Sequence, residues 1–384
     1  MKKFAYAAVA VMVATVFPVR DLTAQASQDT AQAPTKPWWS NASFGADFRA
    51  RIEGFKQEDS PDRLRSRVRL RISAGAAINR DVDIGLRVVT GNPADPITAN
   101  QTFTDWEVRK PITIDRAFIT YHPSTVPALT LGAGKFEPPV RLTNQIFDDN
   151  LSWEGAYERL ATDPKKPVTF KLTAVQSPMN ELSTSKDSYV FIESGQIGVE
   201  QDRYRLGLTA SSFAYVNPDP LAVAIAEEKL DARNTNRLTG SGENVSGFAS
   251  DFNLVDVIAD ATLITAKKDY PFTVTGDFVK NLGAVSDEDT GLWVEAQYGL
   301  AESPKTWSLG YTFSRIEEDA VLSPFLFDDM LGTNATMHLT TASYAPLKNT
   351  NIDLTFIFGK WINPRPGDNP NTLTRVQLSV RAHL

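Results

Sequence analysis

The sequence predicts an all-β fold, a transmembrane antiparallel β-barrel of about sixteen strands with short periplasmic turns and long extracellular loops. Three observations lead there. From about Phe44 to Leu384 the chain repeats one unit: roughly ten alternating apolar and polar residues, then turn residues. A secretory leader precedes this region. Cysteine is absent, so no disulfide holds the chain in an oxidising compartment.

The leader occupies residues 1–26. Lys2 and Lys3 form its positive start, residues 4–17 are apolar and uncharged, and Ala24-Gln25-Ala26 is a small-x-small cleavage site. The mature chain is expected to begin near Ser27. The apolar stretch is shorter than the ~20 residues of a spanning helix, and no later segment approaches one. A chain of this kind crosses a membrane only as a closed barrel. Residues 27–43 are expected to be a disordered polar segment, and residues 44–384 a single barrel domain. Mean hydropathy is −0.24, as expected when a polar lumen face offsets an apolar outer face. Net charge is −7, and removing Lys2, Lys3, Arg20 and Asp21 takes it to about −9. That acidity argues against a nucleic-acid partner.

Alternation places the strands at residues 44–54, 63–77, 82–91, 112–121, 128–137, 151–160, 168–176, 189–199, 203–216, 251–265, 272–280, 290–300, 306–316, 335–345, 351–362 and 373–384. In the second strand Leu64, Val68, Leu70, Ile72 and Ala74 share a face. Later strands repeat the pattern with Leu206, Leu208 and Ala210, then Phe272, Val274 and Phe278. Leu292, Val294 and Ala296 follow, then Trp307, Leu309 and Phe313. Ile352, Leu354 and Phe356 precede Val376, Leu378 and Val380. Tyr121, Tyr298, Trp307 and Tyr344 stand near strand ends, where interfacial girdles form. The connections alternate in length. Short ones fall at 79–81, 123–127, 163–167, 201–202, 267–271, 302–305 and 346–350; long ones include 91–111, 138–150, 217–250 and 317–334. This parity is that of bacterial outer-membrane barrels, and an even count puts both termini in the periplasm. Within 217–250, residues 221–233 read as a short amphipathic helix with Leu221, Ile225 and Leu230 on one side.

Two other classes fit parts of the pattern. A soluble secreted β-protein that binds a polymer or partner would show similar alternation. An outer-membrane barrel enzyme would need a nucleophile beside a base, and no pair has local motif support. His122, His338 and His383 lack metal-ligand spacing, and no phosphate-binding glycine loop precedes a helix. No catalytic residue, cofactor or metal is therefore expected.

Several stretches resemble the Gram-negative outer-membrane family called putative porins. They run in order: Leu64-Arg65-Ser66-Arg67-Val68-Arg69-Leu70-Arg71, Ile84-Gly85-Leu86-Arg87-Val88-Val89-Thr90-Gly91-Asn92, Asn100-Gln101-Thr102, Ile114-Asp115-Arg116-Ala117-Phe118, Gly134-Lys135-Phe136 and Phe147-Asp148-Asp149-Asn150-Leu151-Ser152-Trp153-Glu154-Gly155. The resemblance covers residues 63–155. It implies a single-domain outer-membrane channel for passive diffusion of small polar solutes and ions, with no catalytic step. Implied partners are outer-membrane lipids, the barrel-assembly machinery and solutes or anions in transit, and the strand number suits a homotrimer. The chain departs from the family in ending on the aliphatic Leu384 and in carrying Glu137-Pro138-Pro139 where an Asn-Pro pair is usual.

The charged residues suggest where selection acts. Arg65, Arg67, Arg69 and Arg71 at spacing two share one strand face, opposite an apolar face, so they are expected in the lumen. Arg49 and Arg51 alternate with Phe48, Ala50 and Ile52; Arg375 and Arg381 alternate with Val376, Leu378 and Val380. Closure of the last strand on the first would join these with Arg87 into one basic wall. Stacked arginines need anions, and the candidates are Asp47 and Glu53 on the first strand with Glu137, Asp148, Asp149 and Glu154 around the 138–150 loop. If that loop folds inward, opposite charges face one another across a constriction, as in charged channel rings. The arginines equally fit a role in filling and bridging the wall.

Overall fold

A computed structural model describes residues 41–104, 106–183 and 186–384. The expected leader and most of the polar segment after it lie outside these residues. Sixteen long strands form one antiparallel sheet that closes on itself, and the two-residue segment Gln101–Thr102 adds a short pairing to Arg67 and Val68. The long strands are β1 Ala42–Lys56, β2 Arg63–Ala77, β3 Val82–Thr90, β4 Ile112–Tyr121, β5 Leu129–Phe136, β6 Trp153–Ala161, β7 Val168–Pro178 and β8 Tyr189–Glu200. There follow β9 Tyr204–Val216, β10 Asn253–Leu263, β11 Phe272–Asn281, β12 Thr290–Tyr298, β13 Trp307–Ile316, β14 Ala335–Leu347, β15 Thr350–Trp361 and β16 Leu373–His383. Every strand lies within two residues of its expected bounds. Strand β1 begins at Ala42, so residues 42–43 are strand. Neighbours in sequence pair throughout, and β16 pairs with β1 from Asp47↔His383 to Lys56↔Thr374. Leu384 adds a further bond, donating its N–H to the Ala46 carbonyl at 2.9 Å. No ladder edge remains between first and last strands, which is what a hydrocarbon environment requires.

The outer face follows the alternation. Phe48, Ile52, Ile72, Leu86, Leu206, Leu309, Leu354, Phe356 and Leu378 all point outward and stay exposed. Among the described residues no helix is long and apolar enough to cross a membrane; the crossing elements are strands.

The interior is filled unevenly. The connection 137–152 turns inward after β5, burying Ile146, Phe147 and Leu151. It reaches the opposite wall, where Arg141 binds Asp260 of β10 at 2.8 Å and the Thr143 hydroxyl donates to Asp277 of β11. Gly134 and Gly155 face each other across β5 and β6 where this connection departs, with φ of +115° and +130°. A Cβ at Gly155 would lie 2.0 Å from the Gln176 carbonyl oxygen, so only glycine fits. The connection 317–334 also enters, burying Val321, Leu322, Leu326 and Met330. The two interlock: the Asp148 N–H donates to the Phe325 carbonyl at 2.8 Å, and the Asp148 carboxylate accepts the Asp328 N–H at 2.9 Å. The 217–252 connection adds Phe248 and Phe252, and its helix α1, Asp219–Ala226, is shorter than the expected 221–233. Pro218 starts the helix, and Glu227–Asp231 leave it through turns.

These segments pack on β6–β9, whose inner face carries an apolar cluster: Trp153, Tyr157, Val175, Val190, Ile192, Phe213 and Tyr215 are all nine-tenths buried or more, with Thr173, Ser194, Thr209 and Ser211 beside them. This departs from a polar lumen face on every strand. The opposite interior, under β16, β1, β2 and β3, is polar.

Candidate functional site

The polar half of the interior is the arginine wall. Register sets its members level: Arg49 lies between Arg69 and Arg381, Arg51 between Arg67 and Ser379, and Glu53 between Arg65 and Gln377. They point inward because the alternating set on the same strands, Phe48, Ala50 and Ile52 with Val68 and Leu70, faces out. Arg87 extends the wall into β3.

Carboxylates thread it. Glu53, with no exposed surface, accepts from Arg65 at 2.6 Å and Arg375 at 3.0 Å and lies 3.4 Å from Arg51 and 3.9 Å from Arg67. Asp47 holds Arg69 at 2.6 Å. Asp353 of β15 holds Arg381 at 2.6 and 2.8 Å, and Asp115, at a bulge in β4, holds Arg87. The inserted 317–334 connection contributes Asp328, 3.3 Å from Arg67, and Asp329, 2.7 Å from Arg375 and 3.6 Å from Arg51. Phe55 lies under the Arg65 and Arg375 guanidiniums, 5.0 and 4.9 Å from its ring centre. Two arginines have no carboxylate at salt-bridge distance among the described residues. Arg49 donates to the Asn100 side chain at 2.6 Å, and Arg71 donates to that of Asn150. The Nε of each is buried with no partner.

The anionic candidates around the 138–150 loop are not equivalent. Asp149 lines the same cavity as Arg49 and Arg71. Asp148 is buried and spends its oxygens on the Asn150 and Asp328 N–H groups, so it joins two loops. Glu137 binds Arg116, with 71% of its side chain exposed, away from the four-arginine row. Glu154 pairs with Lys135 at 2.8 Å with 63% of its side chain exposed, and both line the cavity under the 91–111 connection rather than the one that holds Arg49 and Asp149. Asp353, Asp115, Asp328 and Asp329 were not anticipated. Asp353 was readable, since Ile352 and Leu354 beside it face out. Asp115 needs a register shift, and Asp328 and Asp329 lie in a connection without period.

Four cavities follow the wall end to end. One at the long-loop end is lined by Arg63, Arg65 and Arg375; it shares Asp328 and Asp329 with the next. That second cavity, about 470 Å³, is lined by Arg49, Arg51, Arg69, Arg71 and Arg381. It shares Arg71 and Asn150 with a third under the 91–111 connection, which shares Arg87 with a fourth reaching Gly75 and Ala77 at the short-turn end. In the 91–111 connection, burial pushes the Asp95 carboxyl up to about 6, against the opposing pull of the Thr98 and Ile97 N–H groups it accepts. Among the described residues no three His, Asp or Glu side chains converge as metal ligands.

A closed sixteen-stranded barrel with inserted loops and a charged inner wall is the architecture of outer-membrane porins. The model of the family described as putative porin matches residues 55–217, which bears out the resemblance read from the sequence. No curated protein matches the chain. Among solved structures, the Pseudomonas putida protein OprB at high pH is 10% identical, with TM-score 0.59 over 90% of this chain and 94% of that one. Salmonella typhi OmpF in complex with daunomycin is 9% identical, with TM-score 0.53 over 88% and 97%. An in-vitro folded trimer form of Vibrio cholerae OmpT, an outer membrane protein, is 8% identical, with TM-score 0.52 over 89% and 99%. These likenesses give the fold. With the family match they support an outer-membrane porin channel.

Proposed function

We propose that this chain is a non-enzymatic diffusion channel that passes small polar solutes and ions along its arginine wall, with preference for anions. One observation carries the reading: four cavities, each sharing residues with the next, run along that wall from the long-loop end to the short-turn end. Across the barrel, the inserted connections pack apolar side chains against β6–β9. Ion pairing leaves the wall with a positive excess at Arg49 and Arg71, both of which line the central cavity. Charges lining a narrow water path bias ion flow. The leader would be removed near Ser27, both termini would lie in the periplasm, and residues 44–384 would act as one unit. A homotrimer is the assembly we favour, in line with the trimer form solved for the Vibrio protein.

Liposome swelling tests the reading. Proteoliposomes of the refolded protein should swell in small neutral sugars and faster in salts of permeant anions paired with an impermeant cation. Liposomes no more permeable than protein-free controls would sink it.

A further inference from the structure

The outer face of β6–β9 breaks the rule that the rest of the barrel obeys. Register and alternation fix which side chains point out. On β1, β11, β13 and β15 the outward charges are Lys56, Lys280, Arg315 and Lys360, each within the last two residues of its strand. On β6 and β8 they are Glu158 and Glu193, well inside their strands. Glu193 stands on β8 between Phe191 and Ile197, both exposed. Glu158 pairs with Ala174 of β7, and Ala174 pairs with Glu193, so the two carboxylates occupy one row. Gln176 on the same face donates to Glu158 at 3.0 Å. Around the acids the surface is small: Ala174, Gly195, Ala210 and Ser212 leave a groove edged by Leu160 and Leu172, at the level where other strands present leucine, valine and phenylalanine. Next to it the wall is notched. Strand β4 pairs with β5 only over Ala117–Tyr121, and Lys135 and Glu154 meet beside the gap.

Lipid tails offer nothing to two carboxylates, an amide and a hydroxyl in mid-span, whereas a protein surface does. Small residues allow two backbones to approach closely, as they do between membrane segments generally. The patch also carries acceptors (Glu158, Glu193) and donors (Gln176, Ser212) together, so it can hydrogen-bond to another copy of the chain.

We propose that the outer face of β5–β9 is where a second copy of this chain docks, burying Glu158 and Glu193 between barrels. This rests on the association suggested above and names its surface. The chain has no cysteine, so single labels are clean. The refolded parent in mild detergent should run as an oligomer by light scattering. A Gly195→Trp/Ala210→Trp variant fills the groove without touching the interior and should run as a heat-modifiable monomer. Ala296→Trp, on the outward face of β12, should remain oligomeric. A nitroxide at Ser212→Cys should be shielded from oxygen relaxation at least threefold relative to one at Ala296→Cys, a measurement that holds even if the groove variant fails to fold. A monomeric parent would remove the association itself. An oligomeric parent with equal accessibility at the two labels, or a groove variant that stays oligomeric, would place the interface elsewhere and overturn the proposal alone.

Discussion

Replacing Glu53 with Gln should destabilise the barrel more than any other single neutralisation in the arginine wall. Glu53 is fully buried and touches four guanidiniums. Removing one partner of a buried ion pair costs about 3–5 kcal/mol, because a charge is left without compensation. The neighbours set where in that range the loss falls. Arg375 keeps Asp329 at 2.7 Å, Arg67 keeps Asp328 at 3.3 Å, and Arg51 keeps the Ser379 hydroxyl at 3.0 Å. Only Arg65 loses its sole carboxylate, retaining the Phe55 ring. The amide preserves the volume and one acceptor. The expected loss is therefore near the lower bound, about 3 kcal/mol, or roughly a hundredfold in the folding equilibrium. Asp47→Asn is the comparison: its side chain is 27% exposed and serves Arg69, so solvent screening should hold its cost to about 1 kcal/mol or less. The assay is urea unfolding of the refolded barrel in a lipid bilayer, followed by tryptophan fluorescence. A Glu53→Gln loss below about 1 kcal/mol, or one no larger than that of Asp47→Asn, would refute the claim that Glu53 anchors the wall.

Truncation before Val376 should abolish the heat-modifiable folded band, because β1 and β15 would each face lipid with an open edge; Leu384→Phe should assemble at least as well as the parent on the same gel. Asp95→Asn should raise the thermal midpoint at pH 8 and leave it nearly unchanged at pH 4. The folded-state pKa of about 6 lies above the unfolded value, so the contribution of Asp95 is fully present at low pH and is lost as pH rises through about 4 to 6. The amide oxygen still accepts from Ile97 and Thr98. A gain equal at both pH values would contradict that origin.

The strands were legible because an outer face immersed in hydrocarbon imposes period two on almost every segment, and the alternating loop lengths gave closure. The wall was legible for the same reason: Arg65–Arg71 at spacing two leaves one geometry. What stayed hidden was what enters the barrel. Ile146, Phe147, Leu322, Leu326 and Met330 are apolar residues in connections without period, and nothing local says that they pack against Phe213 or Trp153. Asp328 and Asp329 reach the arginines only because that connection folds inward. On β6–β9 the outer face is apolar as elsewhere, with Phe170, Leu172, Phe191 and Leu206 exposed; what alternation did not show is that Trp153, Val175, Ile192 and Phe213 on the inner face meet apolar loop residues, or that Glu158 and Glu193 interrupt the outer face.

The measurement that bears most directly on the arginine path is the zero-current potential across a planar bilayer in a salt gradient, for the parent and for Arg49→Gln/Arg71→Gln. Among the described residues no carboxylate lies within salt-bridge distance of these two side chains, so their removal breaks no ion pair. The parent should show discrete conductance steps and anion preference. The variant should conduct, with its potential shifted toward cations, and the shift should shrink at 1 M salt, where the Debye length is about 3 Å. A folded, conducting variant with the parent's potential would mean that ions pass elsewhere in the barrel.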